Sequence, residues 1–257
     1  MNSLIQSVFK DRSAFIAYLT GGDGGVQYSV EVGLALIEGG VDILEIGIPF
    51  SDPIADGPTI QKAHERALRE QTTPETVLEI ASQIKKVRPH IPLILFSYFN
   101  PILQMGDSFL PKAKRAGFDG ALLLDLPCGD PYFNGNSGLD PIHLLSPSTS
   151  TERLEEISAR GRGFLYYACQ KGTTGVRRSL PTDLKDEIQR IKRVTSTPVV
   201  VGFGIAERCV AAEVVQMADG FVVGSAFVKM IEAGARPEDL KIAAQRIDPR
   251  NIKGNYT

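Results

Sequence analysis

Ile43-Leu44-Glu45-Ile46-Gly47-Ile48 is an apolar run with one acidic residue at its centre, and Pro49-Phe50-Ser51-Asp52-Pro53-Ile54-Ala55-Asp56-Gly57-Pro58 leads from it into a helical pattern at Thr59. A short apolar run, a turn rich in Gly and Pro and then helical spacing make one strand–helix unit. Working outward, similar runs recur at Ala14–Leu19, Ile91–Tyr98, Gly120–Leu124, Ile142–Leu145, Gly163–Ala168, Val199–Phe203 and Gly220–Val223. Helical patterns lie at Val26–Gly39, Thr59–Arg69, Pro74–Val87, Asp107–Ala116, Thr151–Arg160, Asp183–Thr195, Glu207–Ala218 and Pro237–Ile247. Most strand runs lack polar alternation, as expected for a parallel sheet covered on both faces. Eight units of roughly 31 residues predict an α/β fold, a (β/α)8 TIM barrel, as a single domain over residues 1–257. An open doubly wound sheet is the structural runner-up. Its G-x-G-x-x-G fingerprint is missing, because Gly21-Gly22-Asp23-Gly24-Gly25 has the wrong spacing and Glu207 stands where a third glycine would follow Gly202 and Gly204.

One segment departs from the rhythm. Cys128–Asp140, where the fourth helix belongs, is rich in Gly, Asn and Pro, residues that oppose helix formation. A loop, or at most one turn of helix, is expected there.

The composition excludes several classes. The 257 residues are 43% hydrophobic and 23% charged, ordinary for a soluble globular chain and unlike a disordered one. With 28 basic and 30 acidic residues the net charge is −2, so there is no electrostatic footprint for nucleic acid. The three cysteines, Cys128, Cys169 and Cys209, fit neither a disulfide framework nor a CxxC motif and read as reduced thiols. No signal-peptide run opens the chain and no 18-residue apolar run is present, so a cytoplasmic protein without a membrane role is expected.

Alternation in the quoted strand puts Ile43, Glu45 and Gly47 on one face and Leu44, Ile46 and Ile48 on the other. If the larger aliphatics face the helices, Glu45 points into the barrel near its carboxyl-terminal mouth, where barrel enzymes place their chemistry. Lost hydration there raises a carboxyl pKa toward the range useful for proton transfer. The alternative is a structural Glu paired with a buried cation, and no Lys or Arg lies nearby in sequence to supply one. Asp56, just before Gly57-Pro58, is placed for a loop tip to swing it over the mouth, or else caps the helix from Thr59. Asp52 precedes a proline and shapes the turn.

Gly202-Phe203-Gly204-Ile205 and Gly224-Ser225-Ala226 follow the seventh and eighth strands, whose loops often bind phosphate in such barrels. Glycines let backbone N–H groups approach the anion and a helix start adds partial positive charge. Either segment alone reads as an ordinary turn. After the sixth strand, Gln170–Ser179 carries two glycines and three cations, and suits either a mobile lid over an anionic ligand or a solvated loop. His64, His90 and His143 have no ligand spacing, so no metal is expected. No P-loop motif is present. Acid–base chemistry by carboxylates on a phosphorylated small molecule remains, ahead of a Schiff base at Lys171, whose polar surroundings leave its amine protonated.

The stretch Leu44–Gln61, with Asp125-Leu126-Pro127, Gly172-Thr173-Thr174-Gly175, Gly202-Phe203-Gly204-Ile205 and Gly224-Ser225-Ala226, resembles the signature of the tryptophan synthase α-subunit family over nearly the whole chain. The resemblance implies a (β/α)8 barrel that cleaves indole-3-glycerol phosphate to indole and glyceraldehyde 3-phosphate. It implies Glu45 as general acid–base and Asp56 as the partner of the indole N–H. It also implies Tyr166 beside the substrate, Thr174 and Gly175 in the lid, and Gly204, Gly224 and Ser225 at the phosphate. No cofactor is implied in this chain; pyridoxal phosphate (PLP) is implied in a β-subunit partner within an αββα heterotetramer. Pro49–Pro53 and the apolar Pro101-Ile102-Leu103, expected on the barrel mouth, are then the partner surface.

Three positions differ from the usual family pattern: the Gly-rich Cys128–Asp140, Cys169-Gln170-Lys171 where Ser-Arg precedes the lid, and Gly22-Asp23-Gly24 in place of Gly-Asp-Pro. Both a working lyase subunit and a weakly active subunit that chiefly activates its β partner are compatible with this pattern. A phosphosugar isomerase on the same barrel is a third class.

Overall fold

The computed structural model describes residues 3–133, 137–169, 180–202 and 204–250. Within them nine parallel strands form one sheet: β1 (Ala14–Thr20), β2 (Ile43–Gly47), β3 (Leu93–Ser97), β4 (Gly120–Leu123), β5 (Asp140–Pro141), β6 (His143–Leu145), β7 (Leu165–Ala168), β8 (Val199–Gly202) and β9 (Gly220–Val223). Their spatial order is β5-β4-β3-β2-β1-β9-β8-β7-β6. The two ends of that order, β5 and β6, are separated in sequence by Ile142 alone, whose N–H donates to Ala121 O at 2.9 Å. They fill a single position, and the sheet closes as the expected eight-position barrel.

The break at this position has a chemical cause. In a parallel strand successive N–H groups turn to opposite neighbours. Asp140 and Ile142 donate toward β4, while Pro141, facing β7, has no N–H and only accepts from Arg162.

The helices are α1 (Leu4–Val8), α2 (Val26–Glu38), α3 (Pro58–Arg69), α4 (Pro74–Val87), α5 (Phe99–Gln104), α6 (Phe109–Ala116), α7 (Thr151–Arg160), α8 (Leu184–Val194), α9 (Arg208–Val214), α10 (Ser225–Glu232) and α11 (Pro237–Ile247). The expected bounds hold within a residue or two except in α9, which ends four residues before Ala218. Cys128–Asp140 contains, where described, one 3-10 turn at Pro131–Phe133, in line with its composition. The short helices α1 and α5 had no periodic signal in the sequence.

Alternation splits the core into two layers. Leu44, Ile46 and Ile48 pack outward with Val77, Ile80 and Ile84 of α4. Ile16, Ile43, Ile94, Leu122, Phe164, Val200 and Val222 fill the barrel itself. Ile5 of α1 plugs the bottom of that interior, and a Cβ on Gly120 would come within 2.8 Å of its methyl.

A repeated device fixes the amino-terminal rim. Asp42, Asp119 and Asp219 each precede a strand, and each carboxylate accepts the N–H of a residue on a neighbouring strand: Phe15 at 2.8 Å, Leu93 at 3.1 Å and Val199 at 2.8 Å. Each is paired with cations: Asp42 with Arg12 and Arg250, Asp119 with Lys85, and Asp219 with Lys192. Asp42 is the most deeply buried of the three pairs, and removing one partner of a buried pair leaves the other uncompensated. Asp42→Ala is therefore expected to cost about 3 kcal/mol in urea unfolding, against about 1 kcal/mol for Asp219→Ala, whose Lys192 stays hydrated. Equal losses would show that burial does not set the difference.

Candidate active site

Glu45 lies in the middle of β2, register-paired with Tyr18 of β1 and Ile94 of β3. Ile43, two residues earlier, belongs to the barrel interior, so Glu45 shares the inward face as the alternation predicted. It is fully buried, and neither carboxyl oxygen has a hydrogen-bond partner among the described residues. Burial alone pushes its pKa up to about 8. An ionised carboxylate without a donor costs several kcal/mol in such a site, so the group holds its proton at neutral pH. The structural alternative, a buried ion pair, has no cation to make it among the described residues.

Two tyrosines frame this acid, and each leans over a glycine on the next strand. A Cβ on Gly47 would meet the Tyr18 hydroxyl at 2.3 Å, and one on Gly202 would meet the Tyr166 hydroxyl at 2.1 Å. These glycines are therefore the space the rings occupy. Burial raises the pKa of both phenols, and the charges of Glu45 and Asp56 raise both further. Both tyrosines thus lie within electrostatic reach of both carboxyl groups.

Asp56 is buried, at the end of the loop between β2 and α3. It does not cap α3 with its side chain: the N-cap is Gly57, without a side-chain cap bond. Instead its Oδ2 accepts the Tyr98 hydroxyl at 2.8 Å, and the Tyr98 oxygen accepts the Ala55 N–H at 2.9 Å. His64 Nε2 lies 3.5 Å from the same Oδ2. Asp52 is exposed and bonded to the neighbouring Ser51, consistent with a turn role. The sequence shows Tyr98 only as the end of the third apolar run and His64 only as a histidine without ligand spacing. The signal available was His64's place with Ile60, Ala63 and Ala67 on the buried face of α3.

Beyond β1 from the β2 loop, β9 and β8 pair directly, so the loops after them are neighbours. Gly204 has φ +46°, a left-handed conformation suited to glycine. Gly224 caps α10, and the nearly buried Ser225 is the first residue of that helix. Gly224 also lies against Tyr18: a Cβ there would sit 3.4 Å from the Tyr18 Cβ. Tyr18 thus reaches from the start of α10 to Gly47, two residues beyond Glu45 on β2. The segment Gln170–Ser179, with Lys171, Thr174 and Gly175, and Phe203 between Gly202 and Gly204, lie outside the described residues.

Asp125, from the Asp-Leu-Pro motif, accepts the Phe99 N–H at the start of α5 at 2.6 Å, tying the loops after β3 and β4 together. The expected apolar surface is smaller than the sequence indicated. Ile102 is fully buried in the outer core, whereas Leu103 is 48% and Ile54 79% exposed. No group of three or more metal-ligating side chains occurs among the described residues, and no described helix is long and apolar enough to cross a membrane. The cysteines are free thiols.

This fold and mouth define a (β/α)8-barrel protein built around a dry carboxylic acid and a second, hydrogen-bonded carboxylate. The model of the tryptophan synthase alpha chain family matches residues 4–255. The alpha chain of Chlamydia felis is 52% identical over 254 residues, 96% of this chain and 98% of its own. That of Coxiella burnetii is 49% identical over 249 residues, 95% and 97% of the two chains. A solved tryptophan synthase from Mycobacterium tuberculosis matches with a TM-score of 0.88 at 34% identity, covering 96% of this chain and 97% of that one. The chain belongs to the tryptophan synthase alpha chain family, whose members are lyase subunits of tryptophan biosynthesis.

Glu45 makes stability depend on pH. In the unfolded chain it titrates near 4.5, in the fold at about 8. Below the first value both forms hold the proton. Between the two only the unfolded chain releases it, so stability falls by up to about 1.4 kcal/mol per pH unit and levels off above the second value. Glu45→Gln has no proton to lose. Urea unfolding is expected to show the variant gaining on wild type by about 2–4 kcal/mol between pH 4 and pH 7.5; a constant difference would mean that Glu45 is ionised in the fold.

Proposed function

We propose that the chain cleaves indole-3-glycerol phosphate to indole and glyceraldehyde 3-phosphate, with Glu45 as the proton carrier. The observation that supports this most directly is the unpartnered, fully buried Glu45 carboxyl, whose pKa is raised to about 8 by burial. A group near neutrality is suited to giving and taking a proton in one turnover.

Glu45 in its acid form protonates the indole ring carbon that bears the side chain, leaving positive charge on the ring nitrogen. The Asp56 carboxylate accepts the indole N–H and stabilises that charge. Glu45, now a carboxylate, takes the proton of the adjacent glycerol hydroxyl as the carbon–carbon bond breaks. The bond's electron pair returns to the ring, giving neutral indole, the oxygen becomes the aldehyde of the other product, and Glu45 regains its proton. Gly204, Gly224 and Ser225 offer backbone N–H groups and the start of α10 to the phosphate. Tyr166 lies beside the substrate, and Thr174 and Gly175 serve in a lid over it.

Glu45→Gln is expected to lower the rate of indole release by about 10² to 10⁴-fold, and Asp56→Asn by about 10²-fold, in steady-state assays on the purified chain. A wild type no faster than Glu45→Gln that still accelerates a β partner would replace cleavage with an activating role. Turnover of a phosphosugar without an aromatic ring would point to an isomerase.

The product is passed to a β subunit carrying PLP in a heterotetramer of the αββα kind, in the cytoplasm. The exposed Ile54 and Leu103 follow the adjacent strands β2 and β3 and are the apolar contacts available there. Leu103→Asp is expected to weaken β-subunit binding about tenfold while the isolated chain's turnover is unchanged. Unaltered affinity in a titration would place the interface elsewhere.

A further inference from the structure

The loop that carries Asp56 is gripped by a histidine from the helix that follows it. His64 Nδ1 accepts the Phe50 N–H at 3.0 Å. A neutral imidazole has one N–H, so with Nδ1 occupied as an acceptor that proton sits on Nε2. Nε2 is buried, has no hydrogen-bond partner among the described residues, and lies 3.5 Å from Asp56 Oδ2. That oxygen already accepts Tyr98, whose own oxygen accepts the Ala55 N–H. The loop is thus held at Phe50, Ala55 and Asp56 by two side chains that are not part of it.

We propose that His64 is a positioning residue for Asp56: anchored through Nδ1 by the start of the loop, it aims Nε2–H at Oδ2 and closes to a full hydrogen bond when the carboxylate engages the ring nitrogen of the substrate. The proposal rests on Asp56 as the acceptor of that nitrogen. A buried donor left just beyond bonding distance is costly unless some state completes the bond, and such bonds are commonly long in the unliganded site and tighten in the complex. A merely space-filling role for His64 needs neither the fixed Nδ1 contact nor the aim of Nε2. The amides separate the two contacts: Asn reaches about as far as Nδ1 and retains the Phe50 acceptor, whereas Gln reaches toward Nε2 and retains a donor for Asp56.

The test uses the full chain and an inert probe, indolylpropyl phosphate, which lacks the glycerol hydroxyls. Calorimetry is expected to show His64→Leu and His64→Asn binding the probe about tenfold more weakly and His64→Gln within about threefold of wild type. In an Asp56→Asn background His64→Leu is expected to cost nothing further. Nitrogen NMR, with only His64, His90 and His143 to assign, is expected to show the His64 proton on Nε2 and a shift of that nitrogen on probe binding. A proton on Nδ1, equal effects of Asn and Gln, or an undiminished loss in the Asp56→Asn background would each overturn the proposal while leaving cleavage intact. A wild type that neither binds the probe nor releases indole would overturn both. If His64→Leu does not fold, the Asn and Gln pair and the tautomer decide.

Discussion

A fully buried carboxyl group with no hydrogen-bond partner among the described residues sits inside the barrel, and the rest of the architecture is what makes that tolerable. Removing a carboxylate from water costs more than any single contact returns, so Glu45 persists there as the neutral acid. The layer below it is aliphatic, built from Ile16, Ile43 and Val222, Ile94 lies beside it on β3, and the rings of Tyr18 and Tyr166 stand nearby above glycines that leave room for them. Among the described residues no cation or amide relieves Glu45, although the barrel supplies such partners freely at its opposite rim. Asp42, Asp119 and Asp219 there each receive a backbone N–H and one or more cations. One fold thus treats carboxyl groups in opposite ways, partnered and structural at the bottom rim and, at Glu45, unpartnered in the interior above it.

Within the mouth the contrast is repeated on a smaller scale. Glu45 has no donors among the described residues, whereas Asp56 receives the Tyr98 hydroxyl and faces the His64 ring. Two chemically similar side chains placed in dissimilar surroundings can take different roles, which is how acid and electrostatic stabiliser are commonly divided between a pair of carboxyl groups.

The barrel and the inward face of Glu45 were legible because both rest on local periodicity. A period of two places Ile43 and Glu45 together without any knowledge of neighbours, and eight similar units imply closure. What escaped the sequence depends on distant partners. Tyr98 looks like a core residue until Asp56, 42 positions away, is brought to its hydroxyl. His64 sits at a core position of α3, and only the folded loop supplies Phe50 and Asp56 to its two nitrogens. Ile102 followed its burial rather than the apolar run it belongs to, because α5 turns it inward while leaving Leu103 out. The split of β5 from β6 follows from the missing N–H of Pro141, legible as a proline but not as a strand position until the register was known.

The two ends of the proposed substrate site also share a support. Helix α3 begins two residues after Asp56, and eight residues further along Arg66 makes two 2.7 Å bonds to the buried Asp23, in the loop after β1. The same guanidinium lies 3.4 Å from Glu232, at the end of the helix whose first residue is Ser225. Asp23 belongs to the Gly-Asp-Gly turn that departs from the usual family pattern, and the carboxylate is the part of that turn the network uses. A planar, bidentate fork holds orientation as well as distance, which a single ammonium would not. The Asp56 loop and the start of α10 are therefore referenced to one another through rigid helices rather than through the loops themselves. Precise placement of a bound molecule between the carboxylate proposed for the indole nitrogen and the helix start proposed for the phosphate requires such a frame, because a displacement of about 1 Å at either end would carry that molecule away from Glu45.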